Sequence, residues 1–405
     1  MLSLVLLHCY KRQGFGSCLI SPISGAIIHF MGQVYVDDTD LLVTDPELET
    51  AEEVAQEAQA SLLGWGNPLN ATGGSLNLEK CYCCMVNYTC VDGVWHYTPK
   101  VTQLILKIPL PDGTEAPIEQ LKVTDARKML GVWSCPAGGD EMQMKKNAVE
   151  RMADWMARTQ QGQLPAKLAW ISYQYKLWAG MRYGLMATSS RWQEVNGIMD
   201  RLNYEVLPLL GVNRNVRKRW RCIPREFGGT GLYDLAIEQL ICWINAILQH
   251  YGSGSLIDQK MKASLEALQL ELGCAGNPFH QSFATIGHLA TPCWVVLVWE
   301  RLDIYKFSLH LEYPVMAPPR LHDRFLTEVF LEGGYTGHAL AQLNHCRLSL
   351  KALFLSDVTS ATGRTVVLGS LVSILTSGRH DSKFKFPHEA PIASDWCTWE
   401  RFWGD

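Results

Sequence analysis

A chain of 405 residues, 47% hydrophobic and 19% charged with a net charge of −4, holds enough apolar material for two or three domains, and this composition excludes an intrinsically disordered chain. Thirteen cysteines, an odd number scattered from Cys9 to Cys397, exclude a compact disulfide framework and read as thiols of a reducing intracellular compartment, nuclear or cytoplasmic. No apolar run approaches the length of a membrane span, and the run at residues 1–8 is followed, not preceded, by Lys11 and Arg12, so neither a signal peptide nor a membrane partner is expected.

Residues 2–10 read as a short helix ending at Gly14-Phe15-Gly16 and Ser21-Pro22-Ile23-Ser24, a loop that feeds the next segment. That segment runs Gln33-Val34-Tyr35-Val36-Asp37-Asp38-Thr39-Asp40-Leu41-Leu42-Val43-Thr44. Two β-forming runs, 33–36 and 41–44, flank the carboxylates, which predicts a hairpin with the acids at its turn and Asp40 turned away from Asp38. Adjacent carboxylates repel unless a cation neutralises them. Hard oxygen donors on a tight turn suit Mg²⁺, or Mn²⁺ in its place, completed by waters and substrate phosphates. An Asp-Asp pair is equally ordinary turn chemistry.

Pro46 then opens an acidic helix in which Leu48, Ala51, Val54, Ala55, Ala58 and Leu62 keep a helical period. From Asp37 to Glu79 there are ten acidic residues and no Lys or Arg, a pattern that a solvated face explains. The chain turns at Gly73-Gly74 and continues through Leu76-Asn77-Leu78-Glu79-Lys80-Cys81 into an apolar strand. Cys81, Cys83, Cys84 and Cys90 have no paired zinc-knuckle spacing and read as strand cysteines of the core. Further antiparallel pairing is expected around Trp95-His96-Tyr97, along 103–108, after the turn Pro111-Asp112-Gly113, and at Lys128-Met129-Leu130-Gly131-Val132.

From Glu141 the texture becomes helical. Three apolar stripes predict a bundle: Ala148, Met152, Trp155, Met156; then Leu168, Ile171, Tyr175, Trp178; then Trp192, Val195, Met199, Leu202, Val206, Leu209. Between Lys145 and Arg225 there are fifteen Lys or Arg against five Asp or Glu, a net of 15 − 5 = +10 within a chain whose total is −4. Clustered cations with interleaved Trp and Tyr are what a surface following a phosphate backbone requires. The densest part is Arg214, Arg217, Lys218, Arg219 and Arg221 around Trp220, which also reads as a merely solvated cluster.

Taken as a set, Tyr35-Val36-Asp37-Asp38 between strands, Leu76-Asn77-x-x-Lys80-Cys81 behind it, Lys128-x-Leu130-Gly131-Val132, and Gly228-Gly229-x-Gly231-Leu232 after basic helices resemble the palm and thumb of reverse transcriptases of non-LTR retroelements. The resemblance covers about residues 30 to 232. It implies an α+β fold: a partial polymerase palm over 1–135, a basic helical thumb over 136–232, and a helical C-terminal region over 233–405. It further implies an RNA-directed DNA polymerase, a nucleotidyltransferase acting by two-metal phosphoryl transfer on an RNA template and DNA primer. Asp37 and Asp38 would be the catalytic, metal-binding pair, Tyr35 and Lys80 would lie at the nucleotide, and the five basic residues would grip nucleic acid. Met129 stands where the family tends to have an aromatic residue.

The segment before Tyr35 is too short for the fingers, and no Asp or Glu precedes Asp37 to supply a second catalytic strand. The expectation is therefore an inactive fragment, with a non-catalytic nucleic-acid-binding remnant or a decayed protein as alternatives. Helices are expected at 235–251, 256–272, 292–311 and 321–331, and the Trp- and Pro-rich stretch 387–403 is expected to pack back on the body. His280, His288, His338 and His345 have no metal-ligand spacing.

Overall fold

The computed structural model describes residues 2–30, 32–35, 38–44, 50–91, 94–97, 105–137, 141–312, 321–362, 364–367 and 391–404. The fold is mixed α+β, with long helices and short strands paired two at a time. The chain divides into two compact units: residues 1–123 with 252–291 and 308–405, and residues 124–251 with 292–307.

In the first unit, α1 (Leu2–Arg12) packs on α2 (Ala51–Ala71), and between them in sequence lie β1 (Ser17–Ile20), β2 (Ile27–Phe30), β3 (Gly32–Tyr35) and β4 (Asp38–Leu41). The core here is small: Leu6, Tyr10 and Trp65 are buried, with Leu7, Phe15, Leu41, Leu69 and Leu76 packed around them. The fully buried Tyr10 meets the Trp65 ring edge-on at 5.9 Å and shares a hydrogen bond with Ser61. Helix α2 begins with a capping box: the Glu53 amide donates to Thr50 Oγ1 (3.2 Å), and the Thr50 amide donates to Glu53 (3.0 Å). The helix therefore starts at Ala51; Pro46, expected to open it, lies outside the described residues. Gln59 of α2 exchanges two 2.8 Å bonds with the backbone of Lys107. Gly66 lets Pro109 approach so closely that a Cβ would lie 2.7 Å from the proline ring.

The stretch after α1 is more than a loop. Antiparallel β1 and β2 form a hairpin whose turn is Ser21-Pro22-Ile23-Ser24. That turn is fastened by a residue 242 to 245 positions further along the chain, because the buried Glu266 of helix Leu256–Leu272 accepts from the Ser21 hydroxyl, the Ile23 amide (3.0 Å) and the Ser24 amide (2.9 Å). Lys260 of the same helix sits 3.8 Å above the Phe30 ring.

Six two-stranded sheets account for the described strands. The strand at Tyr82–Cys84 pairs in parallel with Glu119–Leu121, not antiparallel and not with the β3–β4 hairpin. Lys107–Pro109 pairs with Glu115–Pro117 across the expected turn at Pro111-Asp112-Gly113, and Tyr88–Val91 pairs with Val94–Tyr97. The first half of the expected strand 103–108 lies outside the described residues.

The rest of this unit is helical. Helix Leu256–Leu272 spans the expected residues, Leu326–Glu332 overlaps the helix expected at 321–331, and Gly337–Ser349 is a further helix that was not expected. Arg347 is fully buried and donates to Leu270 O (3.1 Å), Glu271 O (2.7 Å) and Asn344 Oδ1 (2.8 Å), which satisfies a cluster of backbone carbonyls from inside. The C-terminal helix Ala393–Gly404 packs back as expected: Trp399 meets Phe330 at 5.9 Å, and Thr398 donates to Gln342.

The second unit is a helical bundle. Its first member runs through Glu141–Gln143, a π-helical turn Met144–Glu150, and Arg151–Gln161; its second through Ala166–Ser172, a π-helical turn Tyr173–Trp178, and Ala179–Arg182; its third is Trp192–Leu209. The first and third bury the expected stripes, with Ala148, Met152, Trp155, Val195, Met199 and Val206 in one core. The second does not. Ala169, Tyr173, Leu177 and Trp178 face the core, whereas Leu168, Ile171 and Tyr175 are exposed. Two apolar stripes compete in this segment, and the aromatic one wins because Tyr173 and Trp178 stack on Tyr233 at 6.2 and 4.6 Å. Arg127–Met129 pairs with Val132–Ser134 across a tight turn in which Leu130 and Gly131 both have positive φ (46° and 86°). Helices Leu235–His250 and Trp294–Tyr305 complete the unit.

Candidate nucleic-acid interface and the acidic hairpin

Strands β3 and β4 pair antiparallel with Tyr35 opposite Asp38 and Gln33 opposite Asp40. The expected hairpin is present, but its second strand begins at Asp38 rather than at Leu41, so Asp38 and Asp40 are strand residues and not turn residues. Among the described residues strands β3 and β4 pair only with each other, so the acids stand on a two-stranded edge with Asp38 exposed. Residues two apart on a strand share a face, so Asp38 and Asp40 lie side by side, contrary to the expectation that Asp40 turns away. Burial pushes the half-buried Asp40 carboxyl above its ordinary value, and the neighbouring Asp38 charge adds to the shift. Leu41, on the other face, reaches the Tyr10–Trp65 core and anchors the hairpin.

Asp37 and the Tyr35 side chain lie outside the described residues. Among the described residues no group of three or more His, Cys, Asp or Glu is placed to hold a metal ion. The oxygen chemistry of Asp38 and Asp40 suits Mg²⁺, but both carboxylates come from one strand. Lys80 is exposed in the turn that precedes Tyr82–Cys84, where its amide donates to Asn77 O at 3.0 Å. Cys81, Cys83 and Cys84 are half-buried, and burial pushes the Cys81 thiol up.

The basic residues of the second unit separate into two kinds. Arg221 is half-buried and structural: its Nε donates to Val216 O (3.0 Å) and its Nη2 to Arg214 O (3.4 Å), which fastens the loop before the short helix Lys218–Cys222. Arg225 is structural as well, lying 4.0 Å above the Trp170 ring with its Nε donating to Thr230 O (3.2 Å). Arg214 lies over Tyr204 at 5.3 Å and remains exposed, and Arg217 and Arg219 are exposed without an ion pair among the described residues. The side chain of Lys218 lies outside the described residues.

The glycine-rich loop that follows holds this surface in place. The Thr230 amide donates to Trp220 O (2.9 Å), the Gly231 amide to Ile223 O (3.0 Å) and the Leu232 amide to Arg221 O (2.9 Å), so the loop folds back on the basic helix as a short tongue. Gly228 turns the chain with φ of 78°. Gly229 passes so close to Ile223 that a Cβ would sit 1.9 Å from its carbonyl oxygen. The segment carries three exposed arginines together with exposed Trp220 (47%) and Phe227 (71%). Phe227 and the pinning role of Arg225 were not foreseen; the signal available was a large aromatic residue immediately before Gly228-Gly229, where a buried side chain would not be carried on a surface turn.

The acidic hairpin belongs to the first unit and the basic tongue to the second. No helix among the described residues is long and apolar enough to cross a membrane. Comparison with protein-family models, with curated proteins and with solved structures found no match to this chain.

Proposed function

We propose that this chain is a fragment of a non-LTR-type reverse transcriptase whose retained capacity is to bind nucleic acid, RNA template and DNA primer being the ligands the resemblance implies. The observation that carries the reading is the exposed Arg214, Arg217 and Arg219, with exposed Trp220 and Phe227, on a segment held by a glycine-rich tongue in which a Cβ at Gly229 would clash with the Ile223 carbonyl. Guanidinium groups neutralise phosphates and release counterions, while exposed rings stack on bases without regard to sequence. Arg221 and Arg225 serve the same surface by holding it in shape.

The polymerase part of the reading rests on Tyr35-Val36-Asp37-Asp38 in a hairpin with Lys80 downstream. Two-metal phosphoryl transfer needs carboxylates that reach around both ions from different strands, held roughly 3.5–4 Å apart. Asp38 and Asp40 lie on one strand. The isolated chain is therefore proposed to bind primer–template without extending it.

The test is a fluorescence-polarisation titration of labelled RNA–DNA primer–template across a salt series, beside a primer-extension assay with nucleotides and Mg²⁺. Arg217→Glu with Arg219→Glu should lower the slope of log K against log salt by about 2, as expected for two lost phosphate contacts. Binding that ignores salt would refute the interface. Primer extension that vanishes in Asp37→Ala would refute the proposed inactivity.

A further inference from the structure

The second helix of the bundle has two apolar faces, and only one is used. Ala169, Tyr173 and Leu177 are buried in the core, while Leu168 (50% exposed), Ile171 (47%) and Tyr175 (77%) project into solvent. Their spacing of three and then four residues places them in one line along the helix, the arrangement of a coiled-coil seam. The π-helical turn that begins at Tyr173 widens the helix between Ile171 and Tyr175 and keeps the two side chains on the same side. Lys167 precedes this ridge and Lys176 follows it, and both are exposed. From Trp155 to Gln193 the sequence contains no Asp or Glu, so no acid of this segment neutralises the two lysines.

We propose that this ridge docks an acidic amphipathic helix of a partner protein. The apolar seam fits leucine-type anchors spaced three and four apart, and the lysines at its two ends fit glutamates flanking those anchors. Aliphatic Leu168 and Ile171 offer a phosphate neither charge nor donor, which separates this surface from the exposed arginines at 214–219. A ridge of three side chains gives a bilayer too little apolar area to hold the protein at a lipid surface. The proposal is independent of the nucleic-acid reading, because it involves none of Arg214, Arg217 or Arg219.

The probe is a fluorescein-labelled synthetic helix of about three heptads, with leucine seam positions and glutamate flanks, titrated against the full chain by polarisation. The wild-type chain is expected to bind it, and Leu168→Ser with Ile171→Ser is expected to weaken binding at least tenfold; both side chains are surface-exposed, and unchanged circular dichroism verifies the fold. Lys167→Glu with Lys176→Glu should weaken the glutamate peptide and gain affinity for the same peptide with lysine flanks. Wild-type chain that does not bind the glutamate peptide overturns the proposal, as does binding indifferent to both variants. It is equally overturned if the Leu168→Ser/Ile171→Ser pair abolishes co-sedimentation with phosphatidylserine vesicles or binding to a DNA duplex while peptide binding is unchanged.

Discussion

Arg301 offers the sharpest test of how the second unit is held together. Its side chain is fully buried, its Nη1 donates to Ala236 O (3.1 Å), its Nη2 donates to Ser190 O (2.8 Å), and its guanidinium lies 4.7 Å from the Trp243 ring centre. Burial pushes its pKa down to about 10, with nearby Tyr305, Glu300 and Asp234 opposing the shift, so it remains charged at neutral pH. In Arg301→Met the stem volume is largely kept, but two buried carbonyls lose their partner, at about 1–3 kcal/mol each. The lost ring contact adds about 0.5–2 kcal/mol. Relief of a desolvated guanidinium, whose Nε has no partner among the described residues, offsets part of this. The net expectation is a loss of about 2–4 kcal/mol, concentrated where helix Trp294–Tyr305 meets Leu235–His250. Because the chain has two units, a single unfolding midpoint is a poor readout. Native-state hydrogen exchange suits the case: amides of 235–250 and 294–305 should lose protection in the variant, while those of 51–71 should not. A variant as protected as wild type, or more so, would show that the carbonyls find other donors and that the guanidinium is a net cost.

Three further outcomes follow from the same contacts. Glu266→Ala should strip the turn at Ser21–Ser24 of its acceptor and destabilise the β1–β2 hairpin by about 2–4 kcal/mol, read as faster exchange of the Ile23 and Ser24 amides; unchanged exchange would show that the turn holds itself. Gly229→Ala should force the tongue away from Ile223, and the expected result is proteolytic cleavage near Phe227 together with weaker nucleic-acid binding; a fully protected tongue with wild-type affinity would mean that this close approach is not needed. Asp258 bears on pH. Its burial raises the carboxyl pKa, but the Gly252 amide (2.9 Å), Lys262 (3.0 Å) and the Gly254 amide (3.0 Å) outweigh this, so the folded value lies below the ordinary one. Its stabilisation is then complete above the unfolded carboxylate pKa and fades as pH falls through the lowered folded value. Asp258→Asn should speed exchange of the Gly252 and Gly254 amides at neutral pH, with a smaller difference from wild type under acid once intrinsic rates are matched; a difference that stays constant with pH would refute this assignment.

Much of the local structure was legible because it is written at short range. Helical period located Leu235–His250 and Leu256–Leu272, and proline and glycine placed the turn at Asp112-Gly113, whereas Leu130-Gly131, expected inside a strand, is the turn of a hairpin, and helix Gly337–Ser349 was not expected. The β3–β4 hairpin was also readable, from alternation around the acids. Its register was not, because moving a strand boundary by three residues leaves the same polar and apolar pattern and only the connecting turn decides which residues pair. The distinction between binding and structural arginines was likewise hidden: Arg219 and Arg221 are two positions apart on one basic run, and only the backbone carbonyls that surround Arg221 tell them apart.

The sequence by itself determined an α+β chain, an acidic hairpin, and a basic helical segment with aromatic residues, since period, turn chemistry and charge are properties of neighbouring residues. Tertiary structure alone decided which of two apolar stripes on 166–178 entered the core, because both have a helical period and only the stack on Tyr233 favours one. It also decided that Trp294–Tyr305 belongs with the bundle and that Glu266 anchors a turn near Ser21, as contacts between residues far apart in the chain leave no periodic trace in either segment.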